Sequence, residues 1–405
     1  MYRTLALMML LQYAAPGFVI PTLSHYLKNF LIFEPKEVGW VMAMPALFGI
    51  LGQLALSRLV DRKISAERLL SLCHAMSGVL MFLLYTQHEF VPFLCIYALY
   101  GFFFVPTFGL TNTIAFHHLN DARDFGRVRM WGPVSWVVVG WAFGFLWLRA
   151  GDAELTAARV PQALLFSAIT SVSIVVFALG LPRNRRETPG VVMAPRSLRT
   201  LFLRRDMRVL CVLALLTTIT HQFYYYGMAP YLSQIGLPDA YMLPVLSLGQ
   251  CGEVLVLALL GKMIARTGFT MALTIGLAAQ LFRFGAFASG SLCLSVLAIP
   301  LHGLCYACFF SVAYIYLDTH CEPGNRGGAQ QLFNILIVGL GNLLGSILAG
   351  EVASRLPLPE GGIDYGAFWW ITAGASAALL AMLALLFREE PGRSIEQGGY
   401  QSGRG

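Results

Sequence analysis

Charge is scarce in this chain. Asp, Glu, Lys and Arg make up only 12% of its 405 residues, about half their share in a soluble domain. The regular apolar–polar alternation of a transmembrane β-barrel is missing as well. So are a P-loop and a hydrolase nucleophile motif, and "GLGNLLG" (339–345) sits inside an apolar run, where it is a weak dinucleotide signal. The eight cysteines (Cys73, Cys95, Cys211, Cys251, Cys293, Cys305, Cys308 and Cys321) form no metal-ligand cluster with histidines. Cys305 and Cys308 are three apart in an apolar segment, a spacing that fits packing better than redox chemistry. No disulfide framework, metal or cofactor is expected. The net charge of +7 would suit nucleic acid, but the basic residues lie in loops between apolar runs, which excludes that partner.

What is abundant is hydrophobicity: 57% of residues are apolar and the mean hydropathy is +0.67. Several runs exceed the length needed to cross about 30 Å of hydrocarbon. The fold class is therefore an all-α membrane protein. Twelve spans are expected, at 4–26, 38–58, 68–87, 90–116, 126–149, 162–182, 209–232, 241–261, 269–289, 291–317, 329–353 and 365–387. The first has no cleavage site after it and reads as an uncleaved span. With the N-terminus inside, the inner segments carry 22 Lys and Arg and the outer loops five, so both ends are expected in the cytoplasm. The localisation that follows is a plasma membrane, as in a bacterial inner membrane.

The basic stretch 183–208 carries eight arginines with Pro189 and Pro195, and it divides the spans six and six. The expected organisation is a six-helix bundle over 1–182, a cytoplasmic linker over 183–208, a second bundle over 209–387 and a disordered tail over 388–405. Weak repeats agree with it. "SRLVDRKISAERLL" (57–70) and "GKMIARTGFTMAL" (261–273) place basic turns at the same stage of each half. "YGFFFVPTFGLTNTIAF" from Tyr100 echoes "HGLCYACFFSVAYIYLD" from His302. Two such halves are the architecture of the major facilitator superfamily, in which solute binds between them near the midplane.

Polar side chains inside the spans are costly, and they mark candidate chemistry. Arg129, Gly132, Pro133 and Trp136 share one helical face, joining a guanidinium fork to an indole ring. Snorkelling to headgroups is the plain alternative, and it suits Arg127 better than Arg129. Glu253 has no Lys or Arg within eight residues, so it must be neutral, paired or facing water. Gln250 shares its face. Arg283 needs an acceptor, for which Glu253, a backbone carbonyl or a solute oxygen would each serve. His302 is a candidate for proton relay, since imidazole titrates near neutrality, although a packed histidine is the commoner case. His221, Tyr224, Tyr225 and Met228 form an aromatic face that lines either a pocket or an outer belt, and Tyr306 is similar.

"FGRVRMWGPVSW" (125–136) resembles the fifth-span motif of lactose-type sugar–proton symporters, with Arg129 and Trp136 at the sugar-contacting positions. It also resembles the nucleoside–proton symporter family, as does the longer "PTFGLTNTIAFHHL" (106–119). "GQCGEVL" (249–255) is similar to that family's QxxE pattern and "LFRFGAFASG" (281–290) to its RFxxFAxG, which favours the nucleoside family. The resemblance implies proton-coupled uptake by alternating access, with Arg129, Trp136, Gln250, Glu253, His221, Tyr224 and Tyr306 at the substrate. It implies proton coupling through Glu253, His302 and Arg283. Three positions depart from the families: Pro133 replaces a contacting threonine, Ala307 a tenth-span carboxylate, and Cys305 the sugar family's acidic residue. Asp61 and Arg62 lie in a degraded form of the superfamily's loop motif and are expected to gate. The expected partners are a small polar solute (nucleoside, or alternatively sugar), protons and the lipid bilayer, with the chain acting as a monomer. A polyspecific exporter or a non-transporting receptor is a more distant alternative, and an enzyme is not expected.

Overall fold

A computed structural model describes residues 1–60, 64–119, 125–149, 153–181, 204–321 and 326–389. Asp61 and Arg62, most of the 183–208 segment and the tail from 390 onward lie outside the described residues.

In lipid the backbone must satisfy its own polar groups, so long apolar runs become helices. Among the described residues there are 11 helices of span length. Ten make one crossing each: α1 (Tyr2–Phe30), α2 (Pro35–Val60), α3 (Ala66–Tyr85), α4 (Phe90–His118), α5 (Phe125–Leu148), α6 (Glu154–Leu179), α7 (Arg205–Gln234), α10 (Leu292–His320), α11 (Gly328–Ser354) and α12 (Tyr365–Leu386). The other, Asp239–Ala288, has 50 residues, about 75 Å of helix at 1.5 Å per residue, far more than one crossing uses. It breaks at Gly268, where φ is 79° and ψ 172°, a backbone state that side-chain-bearing residues rarely adopt. Gly268 therefore separates α8 (239–267) from α9 (269–288), and the chain crosses twelve times.

Several boundaries differ from the sequence expectation, among them the end of α8, which runs six residues past 261 to the break at Gly268. The first helix runs on to Phe30 through a π-helical turn at Tyr26–Phe30. The sixth begins at Glu154, eight residues before the apolar run, because its first turns sit on the neighbouring helix: Arg159 stacks 5.1 Å over the Trp147 ring and donates to the Trp147 carbonyl at 2.7 Å. The seventh begins at Arg205, inside the stretch expected as linker. Asp206 in its first turn accepts from Arg204 at 2.7 Å and from Tyr316 at 2.6 Å, and a carboxylate there also suits the helix dipole.

Helices α1–α6 pack on one another, chiefly α2 on α4, α3 on α4 and α6, and α1 on α5 and α6. In the second half α7 packs on α11 and α12, while Phe284 of α9 stacks on Trp369 of α12. The halves meet along α2–α11, α5–α8 and α1–α7.

Those seams are tight on the face away from the termini. Gly39 lies against Ser346 and Gly350, and Gly140 and Gly144 lie against Leu243, Ala240 and Pro244. Small residues let the backbones approach this closely. Polar ties reinforce the contact. His25 meets Asp239 at 2.9 Å, Lys36 meets Glu351 at 2.9 Å, and Lys28 donates to the Tyr365 hydroxyl at 3.1 Å. Ser24 donates to the Tyr225 carbonyl at 3.1 Å and Tyr226 to that of Pro35 at 2.9 Å. The molecule is closed on one side. Replacing Asp239 by Asn together with Lys36 by Gln is expected to loosen that face. An impermeant thiol reagent applied there should then label a cysteine placed at the buried cavity position Met228 several-fold faster; an unchanged rate would show that these pairs do not hold the closure.

Candidate functional site

Where the halves meet lies a narrow cleft, about 450 Å³ of empty space with its open mouth included. Gly17 and Pro21 of α1 and Trp136 of α5 form one wall. A side chain at Gly17 would meet the Trp136 ring at 3.6 Å, so the indole lies directly on α1. The opposite wall is Tyr224, Tyr225 and Met228 of α7, Leu243, Leu246, Ser247 and Gln250 of α8, and His302 of α10. Trp136, Tyr224, Gln250 and His302 are thus brought together as the sequence suggested. The aromatic face of α7 lines a pocket and is not an outer belt. Ser247 is occupied, donating to the Pro244 carbonyl at 2.7 Å and accepting from Trp141 at 3.0 Å. Gln250 has no side-chain hydrogen bond among the described residues.

Beside this chamber stand two opposite charges, one from each half. The Arg129 guanidinium lies 4.3 Å over the Tyr13 ring, with Gly132 leaving room for both. Glu253 of α8 is an electrostatic neighbour of Arg129, and both act on Tyr13 and on Tyr306. Tyr306, though midway along α10, is 39% exposed. It opens a π-helical turn, Tyr306–Ser311, a form that recurs at functional sites. Arg127 is exposed at the terminal end, and its carbonyl accepts from Tyr2 at 3.2 Å. Tyr13 was not singled out by sequence, since a tyrosine in a span is unremarkable until the helix opposite it is known.

Glu253 owes its place to glycines. Gly303 lies against the backbone of Glu253 and Gly249, and Gly252 against the Pro300 carbonyl. Helices α8 and α10 therefore touch backbone to backbone at the carboxylate.

Arg283 does not pair with Glu253. It is wholly buried, stacks 4.6 Å over the Tyr224 ring, and donates to His302 Nδ1 at 2.7 Å. Its Nε and Nη2 find no partner among the described residues. His221 is buried, with its ring 4.8 Å from that of His302. Gln280 sits beside it, yet neither His221 ring nitrogen makes a hydrogen bond. Gln280 is engaged elsewhere, donating to Thr220 at 2.8 Å and to Ser376 at 3.2 Å.

The arrangement matches a family by sequence and a fold by shape. The profile of a family described as nucleoside H+ symporter covers residues 1–391. YegT of Escherichia coli (strain K12) is 30% identical over 380 residues, spanning 90% of this chain and 88% of its own. The nucleoside permease NupG of the same organism is 22% identical over 415 residues, 95% of each chain. A crystal structure of the nucleoside transporter NupG superposes with a TM-score of 0.83 over 96% of this chain and 99% of that one, at 22% identity. The inward-open xylose transporter XylE of E. coli gives 0.70 over 97% of each, at 13% identity. The architecture is the major facilitator fold.

Proposed function

Because this chain belongs to the nucleoside H+ symporter family, we propose how its own residues carry a nucleoside and a proton across the bilayer. It is a multi-pass secondary transporter, not an enzyme. The observation that carries the reading is the aromatic chamber between the halves, with Arg129 of one half and Glu253 of the other as oppositely charged neighbours beside it. Trp136 offers a ring face on which a planar base can stack, and Tyr224 backs the opposite wall, its own ring held against Arg283 and His302. Gln250, Arg129 and Glu253 offer the donors and acceptors that ribose hydroxyls and base edges require. His221 packs behind that wall against His302, with Tyr306 beside it.

Coupling follows from charge. A carboxylate that loses water when the cavity closes is costly unless paired or protonated. Protonation of Glu253 removes one charge from the pair, and the solute takes over the contacts Arg129 gives up, so the loaded carrier can rock between its two states. Arg283 and His302 flank this step, with Ala307 standing where the resemblance places a carboxylate. Asp61 and Arg62 gate the terminal face, a reading that rests on the sequence motif alone. The Lys and Arg bias puts both termini in the cytoplasm, so the closed face looks outward. The chain works as a monomer in a bacterial inner membrane.

Counterflow in proteoliposomes preloaded with uridine tests the cargo. Labelled uridine should enter transiently above equilibrium, and excess unlabelled nucleoside should abolish the overshoot while disaccharides leave it intact. Competition by disaccharides alone would favour a sugar carrier. Absence of counterflow with any solute would reject transport.

A further inference from the structure

The bond between Arg283 and His302 has a chemical consequence. A guanidinium only donates, so His302 Nδ1 must accept, at 2.7 Å. An imidazole whose Nδ1 accepts is neutral and carries its proton on Nε2. The ring is held from two sides, by the Arg283 bond at Nδ1 and by Tyr224, which stacks on its face at 4.5 Å, with the Cδ2 edge towards Gly249. His302 also lines the cavity, and its Nε2 has no partner among the described residues. The charged and titratable groups around it are Arg283 of α9, His221, Tyr224 and Tyr225 of α7, and Tyr306 and Cys305 of its own helix. None of them accepts a bond from Nε2. The nearby carboxylate, Glu253, makes no hydrogen bond with Nε2 either.

We propose that Arg283 is a positioning residue that fixes His302 as a permanent hydrogen-bond donor, so that the chamber prefers bases presenting a carbonyl oxygen over those presenting an amino group. Gln250 alone cannot choose, because an amide offers a donor and an acceptor and serves either edge by turning over. A fixed Nε2–H beside it breaks that symmetry. It meets a carbonyl acceptor and opposes an amino donor, leaving two donors facing each other. The imide edge of uracil and the lactam edge of hypoxanthine fit; cytosine and adenine offer an amino group at the corresponding place. The inference rests on the reading of the cargo as a nucleoside.

The test compares matched pairs on the purified full-length protein. Affinities for uridine against cytidine and for inosine against adenosine are measured by ligand-induced thermal stabilisation. The oxo member of each pair should bind at least about tenfold more tightly, the size of one mismatched buried donor. Arg283→Met lets His302 take either tautomer, and the preference should collapse. Arg283→Lys, which still donates to Nδ1, should restore it, a rescue that packing alone would not give. If Arg283→Met does not fold, His302→Phe keeps the ring without its nitrogens and should abolish the preference. Equal affinity for oxo and amino partners in the parent protein would overturn the inference, as would an unaltered preference in Arg283→Met or His302→Phe. If no nucleoside stabilises the protein, the cargo reading itself fails, an outcome distinct from binding without preference.

Discussion

Glu253→Gln is expected to abolish accumulation of nucleoside against its gradient while leaving exchange of labelled for unlabelled solute in place. Glutamine keeps the size and hydrogen-bonding edge of the protonated acid but cannot release a proton. In the substituted carrier the step that carries the proton no longer exists, so an imposed proton gradient does no work on the solute. Uptake into proteoliposomes should then stop at the equilibrium level. Glu253 makes no ion pair with Arg283, whose bond goes to His302, and has Arg129 of the other half as its electrostatic neighbour. Arg129→Met complements the measurement. It leaves the carboxylate without that partner and removes a donor fork from the site, so solute binding should weaken on the order of a hundredfold. Proton-driven accumulation that persists in Glu253→Gln would remove Glu253 from the coupling mechanism, and undiminished affinity in Arg129→Met would remove the pair from the binding site.

Gly303→Ala is expected to destabilise the carrier and to disable it. An added methyl at 303 would run into the backbone nitrogen of Glu253 and the carbonyl of Gly249. Backbone cannot swing aside as a flexible side chain does, so α8 and α10 must separate. Overpacking of this kind costs about 1–3 kcal/mol, and contact with main chain on the opposite helix argues for the upper part of that range. Separation of the helices would also move Glu253 relative to Arg129 on the other half, so transport should fall further than stability alone accounts for. Gly285 supplies the control, since an added methyl there meets nothing within 4 Å. Thermal unfolding in detergent and uptake in vesicles would check both variants. A Gly303→Ala protein with the parent's melting temperature and uptake would show that the contact between α8 and α10 is not needed.

Much of the fold is legible because its cause is local. Each span announces itself as a long apolar run. Even the boundary between α8 and α9, where the helix is continuous but for one residue, falls at the basic turn ending in Gly268. Helix starts are harder. Glu154 and Arg159 look like loop residues until Trp147 is seen beside them as a partner for the arginine. The costly charges were also visible: Arg129, Glu253 and Arg283 stand out against apolar surroundings. Their partners were not. Which acceptor Arg283 chooses depends on how α9 and α10 are rotated against each other, and that is set by contacts such as Gly276 on Phe309 that no spacing reveals. Tyr13 and the His25–Asp239 tie escaped for the same reason, because each becomes meaningful only when α1 is placed against the helix opposite.

The closed face bears on how turnover responds to warming. Its ionic and hydroxyl links span five separate helix pairs, and the glycine seams between them are close-packed. Such an arrangement cannot unzip one link at a time, because each half moves as a body. The links must be surrendered almost together before water enters and repays them. The opening step therefore carries a large activation enthalpy, and exchange across the membrane should slow on cooling much more steeply than solute binding weakens.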